Sequence, residues 1–414
     1  MHQIRKLLAY YLCQLNHVKQ MKDPHAFNRL AFTKEEADSH QQFIEIADGL
    51  GLKTYQDKAG NYWGVWEVDK HAPTIAMGSH LDTVHDGGGY DGVAGIVCSL
   101  AAIHLLKERS FQPTKNIAVI CFIAEESARF GVSTIGSKAI TGQLDYDELN
   151  DVVDKDGMTV KQAVENMGIH WGDLEKATLP QDALEQFVEV HIEQGNILEE
   201  RNAQIGIVTN IARPTRLGIT VHGESNHTGT TPMHKRKDAL VAVSSLISYI
   251  YQETLKINNE SDPYLVATAS KIDIQPNAMT TIPGKAELGI DIRSIHDYSK
   301  QKLVEKIDHY CSQIEGDFQT TIEIDRLVDN KPVALNRTIQ KKMRDISLGL
   351  SFRTVNMISG AGHDAMNMAE RWATGLVFIP CRDGISHDPK EYTSEQNLVN
   401  GTELLATYLQ SEAN

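Results

Sequence analysis

Between roughly Ile211 and Asn330 the chain changes rhythm, and that change limits the folds open to it. The patterns there run strand Arg216 to His222, helix Lys237 to Leu255, strands Tyr264 to Asp273 and Lys285 to Arg293, helix Ser299 to Ile314, and strand Thr320 to Asp325. Strands declare themselves by alternation, helices by apolar residues three and four apart. The order βαββαβ is a ferredoxin-like split motif, which closes its own sandwich and can be inserted into another domain without breaking that domain's core.

The flanking segments read differently. Short β-rich runs at Thr74 to Gly78 and Asn116 to Ala124 are separated by Gly92 to Lys107, with small and apolar residues at helical spacing. Further strands are expected at Phe187 to Ile192 and Gly375 to Ile379, so the first half and the C-terminus are predicted to build one α/β sheet with its chemistry at strand ends. This places one domain at 1–211 plus 330–414 and an inserted domain at 212–329. At 414 residues the chain exceeds what one core usually supports, and 41% apolar residues suffice for two.

Composition removes several function classes. With 55 acidic and 40 basic residues the formal charge is −15, which repels phosphate backbones and anionic membrane surfaces, so neither nucleic acid nor a membrane is an expected partner. The five cysteines, Cys13, Cys98, Cys121, Cys311 and Cys381, are widely spaced and suit free core thiols in a reducing compartment. Met1 to Lys22 has a helical rhythm and lacks the apolar run of a secretion signal, and no stretch is apolar enough to span a bilayer; a cytoplasmic location is expected.

Four segments carry the candidate chemistry. His80, in Gly78-Ser79-His80-Leu81-Asp82, is followed by the glycine-rich run ending in Asp91-Gly92. A metal-bound imidazole normally donates its other N–H to a carboxylate, and Asp82 is in range for that. Glycines around Asp91 permit the tight bend that lets one carboxylate bridge two cations. Glu125 and Glu126 follow an apolar strand directly; their side chains diverge, so one can ligate while the other faces a substrate water. In Val188-Glu189-Val190-His191-Ile192 the alternation puts Glu189 and His191 on one face. His387 stands in a polar loop after the last strand. Each piece has a bland reading: a capped glycine loop, acids on a helix dipole, a strand histidine, a loop histidine. Together they offer three imidazoles and two carboxylates, a set suited to zinc or manganese at two neighbouring sites.

The same segments, in this order, resemble the amidase/hydantoinase/carbamoylase family of the aminoacylase and carboxypeptidase-like di-metal hydrolase superfamily. The resemblance extends through Arg29-Leu30-Ala31-Phe32-Thr33, the run Gly223-Glu224-Ser225-Asn226-His227-Thr228-Gly229-Thr230-Thr231-Pro232-Met233, Pro276-Asn277-Ala278, Asp291-Ile292-Arg293, and Ser359-Gly360-Ala361-Gly362-His363-Asp364-Ala365. It implies one metal held by His80 and His191, a second by Glu126 and His387, and Asp91 between them. Glu125 would be the general base and Asp82 its catalytic companion. It also implies that the insert is a lid and dimerisation module of a homodimer. His227, Asn277 and Arg293 would then reach the substrate, with Gln194 and His363 as further contacts. An arginine fork matches an α-carboxylate, and His227 and Asn277 can donate to an oxyanion.

His191 stands where peptidase relatives usually carry a carboxylate, which points towards ureido substrates. The expected reaction is hydrolysis of the carbamoyl C–N bond of an N-carbamoyl-L-amino acid to amino acid, carbon dioxide and ammonia, with Glu125 taking the proton of the attacking water. Allantoate or ureidopropionate hydrolysis uses the same ligand set. Ser127 replaces a common glycine, and Ala212-Arg213-Pro214 stands where a glycine-glutamine turn is expected, which leaves the exact substrate open. An aminoacylase or dipeptidase fits His191 less well. A non-catalytic binding protein on the same fold is the rival of another class, and it would be expected to have lost a ligand or the base.

Overall fold

In the computed structural model the described residues are 2–21 and 24–414. The chain divides into two compact units, one formed by Met1–Thr209, Ala334–Met357 and His363–Asn414, the other by Asn210–Val333 and Ile358–Gly362.

The first unit is built around a mixed sheet whose centre runs in the order Tyr62–Trp66, Asn116–Phe122, Thr74–His80, Gln186–Ile192, Ala373–Ile379. The last four are mutually parallel, while Tyr62–Trp66 lies antiparallel on the Asn116–Phe122 side. Parallel strands need crossovers, and helix Val93–Glu108 supplies one; it is buried nearly all round, as a helix must be when it lies between a sheet and further helices. Helices His2–Leu15 and Glu395–Glu412 pack against it. The central strands are buried on both faces, so they read in sequence as continuous apolar runs rather than alternations.

Because the four strands share a direction, their C-terminal ends lie along one edge, where open α/β sheets place their ligand sites. His80 is the last residue of its strand, Glu125 comes three residues after Phe122, and His191 is the penultimate residue of Gln186–Ile192. The register pairs His80 with Phe122 and Phe378 with His191, so the side chains start level. The strand expected to reach Ala124 stops at Phe122, since Ala124 turns into the left-handed region at φ 53°.

The second unit contains strands Arg213–His222, Val266–Gln275, Lys285–Ser294 and Thr321–Asp329, with helices Ala239–Glu260 and Asp297–Phe318. The element order is the expected split pattern. The antiparallel sheet runs Thr321–Asp329, Arg213–His222, Lys285–Ser294, Val266–Gln275. Its core is made by Leu217, Ile219, Val221, Leu288, Ile290 and Ile292 from the sheet, packed against Val243, Leu246, Leu303 and Ile307 from the helices. Strand alternation matches this one-sided burial: along Lys285–Ser294 every second residue is buried.

The N-terminal rhythm is realised as helix His2–Leu15; Met1 and Lys22, the limits of that reading, lie outside the described residues. All five cysteines are free, and four are buried. Among the described residues no helix is long and apolar enough to cross a membrane.

Candidate metal centre

The paired glutamates owe their divergence to an unusual set of backbone contacts. After the strand ends, four successive amides are each held by a side chain from elsewhere. Ile123 N donates to Asn61 Oδ1 at 3.1 Å and Ala124 N to Glu36 Oε1 at 2.9 Å. Glu125 N donates to Asp82 Oδ1 at 3.0 Å and Glu126 N to Asp82 Oδ2 at 2.8 Å. A run of amides pinned in this way fixes both Cα–Cβ directions, including the strained turn at Ala124. Glu36 also accepts from Phe32 N at 2.6 Å.

The ligand atoms converge on Asp91. His191 Nε2 lies 2.9 Å and His80 Nε2 3.5 Å from Asp91 Oδ1, while His387 Nε2 lies 3.3 Å from Oδ2 and 3.4 Å from Glu126 Oε1. Two clusters result, His80 with Asp91 and His191, and Asp91 with Glu126 and His387, each with its ligand atoms within 4.8 Å of one another. Glu125 Oε2 is 3.8 Å from His80 Nε2 and belongs to neither cluster. The chain leaves Asp91 through Gly92, whose φ is 66° and where a Cβ would come within 2.6 Å of the His80 ring. A side chain there would displace the ligand, so glycine is required.

The imidazoles are oriented for coordination. His191 Nδ1 is 2.8 Å from Ile192 O, an acceptor for its N–H, which leaves Nε2 facing the cluster, 3.2 Å from Gly92 N. His80 Nδ1 faces Asp82 Oδ1 at 3.3 Å and Asp82 O at 3.1 Å, leaving Nε2 for the cluster. Imidazoles backed by oxygen acceptors are the normal outer support of metal ligands.

Electrostatics carry the same message. Burial would raise Asp91, but contact with His191, His387 and His80 holds it well below the usual carboxylate range. Burial opposes charge on His80, yet Glu125, Asp82 and Asp91 raise it, and His191 is raised by Asp91 against the same penalty. The bond to Asp91 lifts His387 to about 9, and burial next to Asp91 lifts Glu126 to about 7. Burial drives Glu125 well above the ordinary value, with His80 opposing and Glu126, Asp364 and Asp82 adding to the rise. Three imidazoles and two carboxylates so close together, all buried except His387, fit divalent cations by donor type and by number.

The other candidates fall in two places. Gln194, at φ 56°, donates from Nε2 to Asp91 Oδ2 at 2.7 Å, and its Oε1 is buried without a partner among the described residues. His363 is buried with its ring edge-on to His191 at 4.5 Å, and burial holds its pKa well below the usual imidazole value. His227 and Asn277 are exposed in the second unit; His227 Nδ1 accepts from Gly229 N at 3.0 Å. Arg293 bonds Asp291 Oδ1 through Nε at 2.8 Å and Gly360 O through Nη1 at 2.7 Å. None of these three is in the ligand clusters.

Several residues of the site escaped the sequence reading. Glu189, recognised only by its face, accepts from Ser79 Oγ at 2.8 Å and Ala365 N at 2.9 Å and forms a third candidate cluster with His191 and His363. Glu36 was available as the fourth residue of Thr33-Lys34-Glu35-Glu36, a capping-box pattern. Thr33 does cap a helix, Lys34–Gly49, but the Glu36 carboxylate is turned to Ala124. Glu391 and Ser386, which contact the Asp91 loop, had no signal beyond their nearness to His387.

The profile of peptidase family M20/M25/M40 matches residues 76–411. An N-carbamoyl-L-amino-acid amidohydrolase of Paenarthrobacter aurescens is 35% identical over 91% of this chain and 91% of its own. An allantoate amidohydrolase of Bacillus subtilis (strain 168) is 34% identical over 92% of this chain and 91% of its own. Among solved structures, an amidase of the hydantoinase/carbamoylase family from Burkholderia multivorans superposes with a TM-score of 0.86 at 25% identity, covering 100% of this chain and 97% of that one.

Proposed function

Because the chain belongs to peptidase family M20/M25/M40 and is a hydrolase of non-peptide amide bonds, we propose that its reaction is hydrolysis of the carbamoyl C–N bond of N-carbamoyl-L-amino acids. The observation that carries the reading is the pair of donor clusters sharing Asp91, with Glu125 beside them but in neither. In the proposal His80, His191 and Asp91 hold one divalent cation, and Asp91, Glu126 and His387 a second, with zinc the expected metal. When bound, such ions lower the pKa of water and polarise a carbonyl.

The chain's own residues do the rest. Glu125 Oε2 takes the proton of the attacking water and passes it to the nitrogen that leaves. Burial beside Glu126 and Asp364 holds the Glu125 carboxyl above its ordinary value, the direction that favours taking up the water's proton. Asp82 keeps Glu125 and Glu126 apart by holding their amides and orients His80. The orphan Oε1 of Gln194 is an acceptor suited to a ureido N–H. In the second unit Arg293 is the proposed partner of the substrate's α-carboxylate, and His227 and Asn277 are the proposed donors to the developing oxyanion.

The test is ammonia release by zinc- or manganese-loaded protein against N-carbamoyl-L-amino acids, ureidopropionate, allantoate and two dipeptides. Release from N-carbamoyl-L-amino acids is the expected result. Release confined to allantoate would reassign the substrate while leaving the chemistry, a reading favoured by the Bacillus relative. Silence on every ureido substrate by metal-loaded protein would overturn the carbamoyl assignment.

A further inference from the structure

The Asp91 loop is held from behind by a residue 300 positions away in sequence. Glu391, only 4% exposed, receives two consecutive amides on a single oxygen: Tyr90 N and Asp91 N each donate to Oε1 at 2.9 Å. Its second oxygen accepts from Ser386 Oγ at 2.8 Å, and Ser386 Oγ is 3.1 Å from Asp91 Oδ2. Ser386 precedes His387, so this one carboxylate touches both the loop that supplies the shared ligand and the loop that supplies the outermost one. The fit is close. At Gly88 a Cβ would lie 2.4 Å from both Oε1 and Cβ of Glu391, so the glycine is what admits the carboxylate.

We propose that Glu391 is a positioning residue that fixes Asp91 between the two ligand clusters and ties the His387 loop to it; this rests on the metal-ligand reading given above. The geometry explains how. Two amides donating to one carboxyl oxygen set the peptide planes leading into Asp91, and Val93 N, donating to Asp91 O at 2.6 Å, sets the plane leaving it. With both sides fixed, the Asp91 Cα–Cβ bond has one direction. Its two oxygens then face different imidazoles, Oδ1 towards His80 and His191 and Oδ2 towards His387. The competing reading is a buried acid that merely closes a loop, and it predicts lost stability without selective loss of metal.

The experiment measures zinc affinity by chelator competition, kcat and KM, and thermal unfolding for the intact protein and for Glu391→Ala, Glu391→Gln and Gly88→Ala. Glu391→Ala should weaken zinc binding at both clusters together by roughly 10–100-fold, because Asp91 serves both, and should lower kcat more than KM. Glu391→Gln keeps the Oε1 acceptor and the shape, and should recover zinc affinity to within about threefold. Gly88→Ala leaves the carboxylate in the chain but pushes it off the amides; it should reproduce the zinc loss and so carries the test even where Glu391→Ala does not fold. Normal zinc affinity in Gly88→Ala and Glu391→Ala would overturn the proposal while leaving the ligand assignment intact. If the unaltered protein took up no zinc or manganese, the ligand reading would fall first and this inference with it.

Discussion

The polar residues of the first unit and the candidate residues of the second are held in opposite ways. Around the ligand clusters nearly every polar side chain is buried and bonded: His80 and His191 are 2% and 1% exposed, and Asp82, Glu36 and Glu189 are wholly buried while accepting backbone or hydroxyl protons. In the second unit His227 and Asn277 are exposed, and Arg293 is engaged by its sheet neighbour Asp291. The difference teaches where precision is built. A frame of side chains donating to or accepting from the backbone fixes atoms before any ligand arrives, as catalytic positioning requires. The exposed donors are framed more sparsely, His227 only through the turn amides that donate to its Nδ1.

The largest effect that would sharpen the contrast is on proton transfer. Glu125→Gln removes the base but neither a ligand nor an amide contact, so kcat should fall roughly 10³-fold with metal content unchanged by elemental analysis. Near-normal turnover would remove Glu125 from that role. Next comes the frame itself. Asp82→Ala deletes the acceptor of two amides and the partner of His80, and equilibrium dialysis should record roughly 10–100-fold weaker metal binding. Unchanged binding there would mean that the buried frame is structural only, and the contrast between the units would lose its meaning.

What could be read from the sequence follows the same division. Element order in both units was legible because periodicity reports which faces are buried. His80, Asp91, Glu126, His191 and His387 stood out as candidates because each closes a strand or follows one, and it was the family resemblance that implied their roles as ligands. Parallel strands then bring those ends together. The frame was not legible. Glu36 meets Ala124 across 88 positions and Glu391 meets Asp91 across 300, contacts set by tertiary packing that leave no period behind. Nor does spacing reveal that Ala124, Gln194 and His387 all take positive φ at the site, where short turns aim the side chains that follow or carry the chemistry. The depth of His363 was hidden for a similar reason: a glycine-flanked histidine reads as a loop residue, yet it packs beneath His191.

In the second unit the test is gentler. Arg293→Lys keeps the charge but loses the planar fork, so KM for a substrate with a free α-carboxylate should rise about tenfold, with kcat little changed. A substrate with that carboxylate amidated should show no such shift. Equal KM values for the variant and the unaltered protein would mean that Arg293 serves its Asp291 pair alone.

The smallest expected effect on activity comes from a buried histidine beside Tyr62 and appears in stability instead. His40 is fully buried with its ring 4.6 Å from that of Tyr62, and burial, against the pull of Asp82 and with help from Arg29, lowers its pKa to about 4. In the unfolded chain the value returns to about 6.5. Between these limits the unfolded state binds a proton that the folded state does not, so the contribution of His40 to stability is complete above pH 6.5 and is lost as pH falls towards 4. The full shift corresponds to about 3 kcal/mol. His40→Phe keeps a ring on Tyr62 without the titration, so its denaturation free energy should decline less between pH 7 and pH 4 than that of the unaltered protein, with turnover at pH 7 within about twofold. The carboxylates that also protonate in this range are common to both proteins and cancel in the difference. Parallel curves would show that His40 takes up its proton as readily inside the fold as outside, and its surroundings beside Tyr62 would then be wetter than its burial implies.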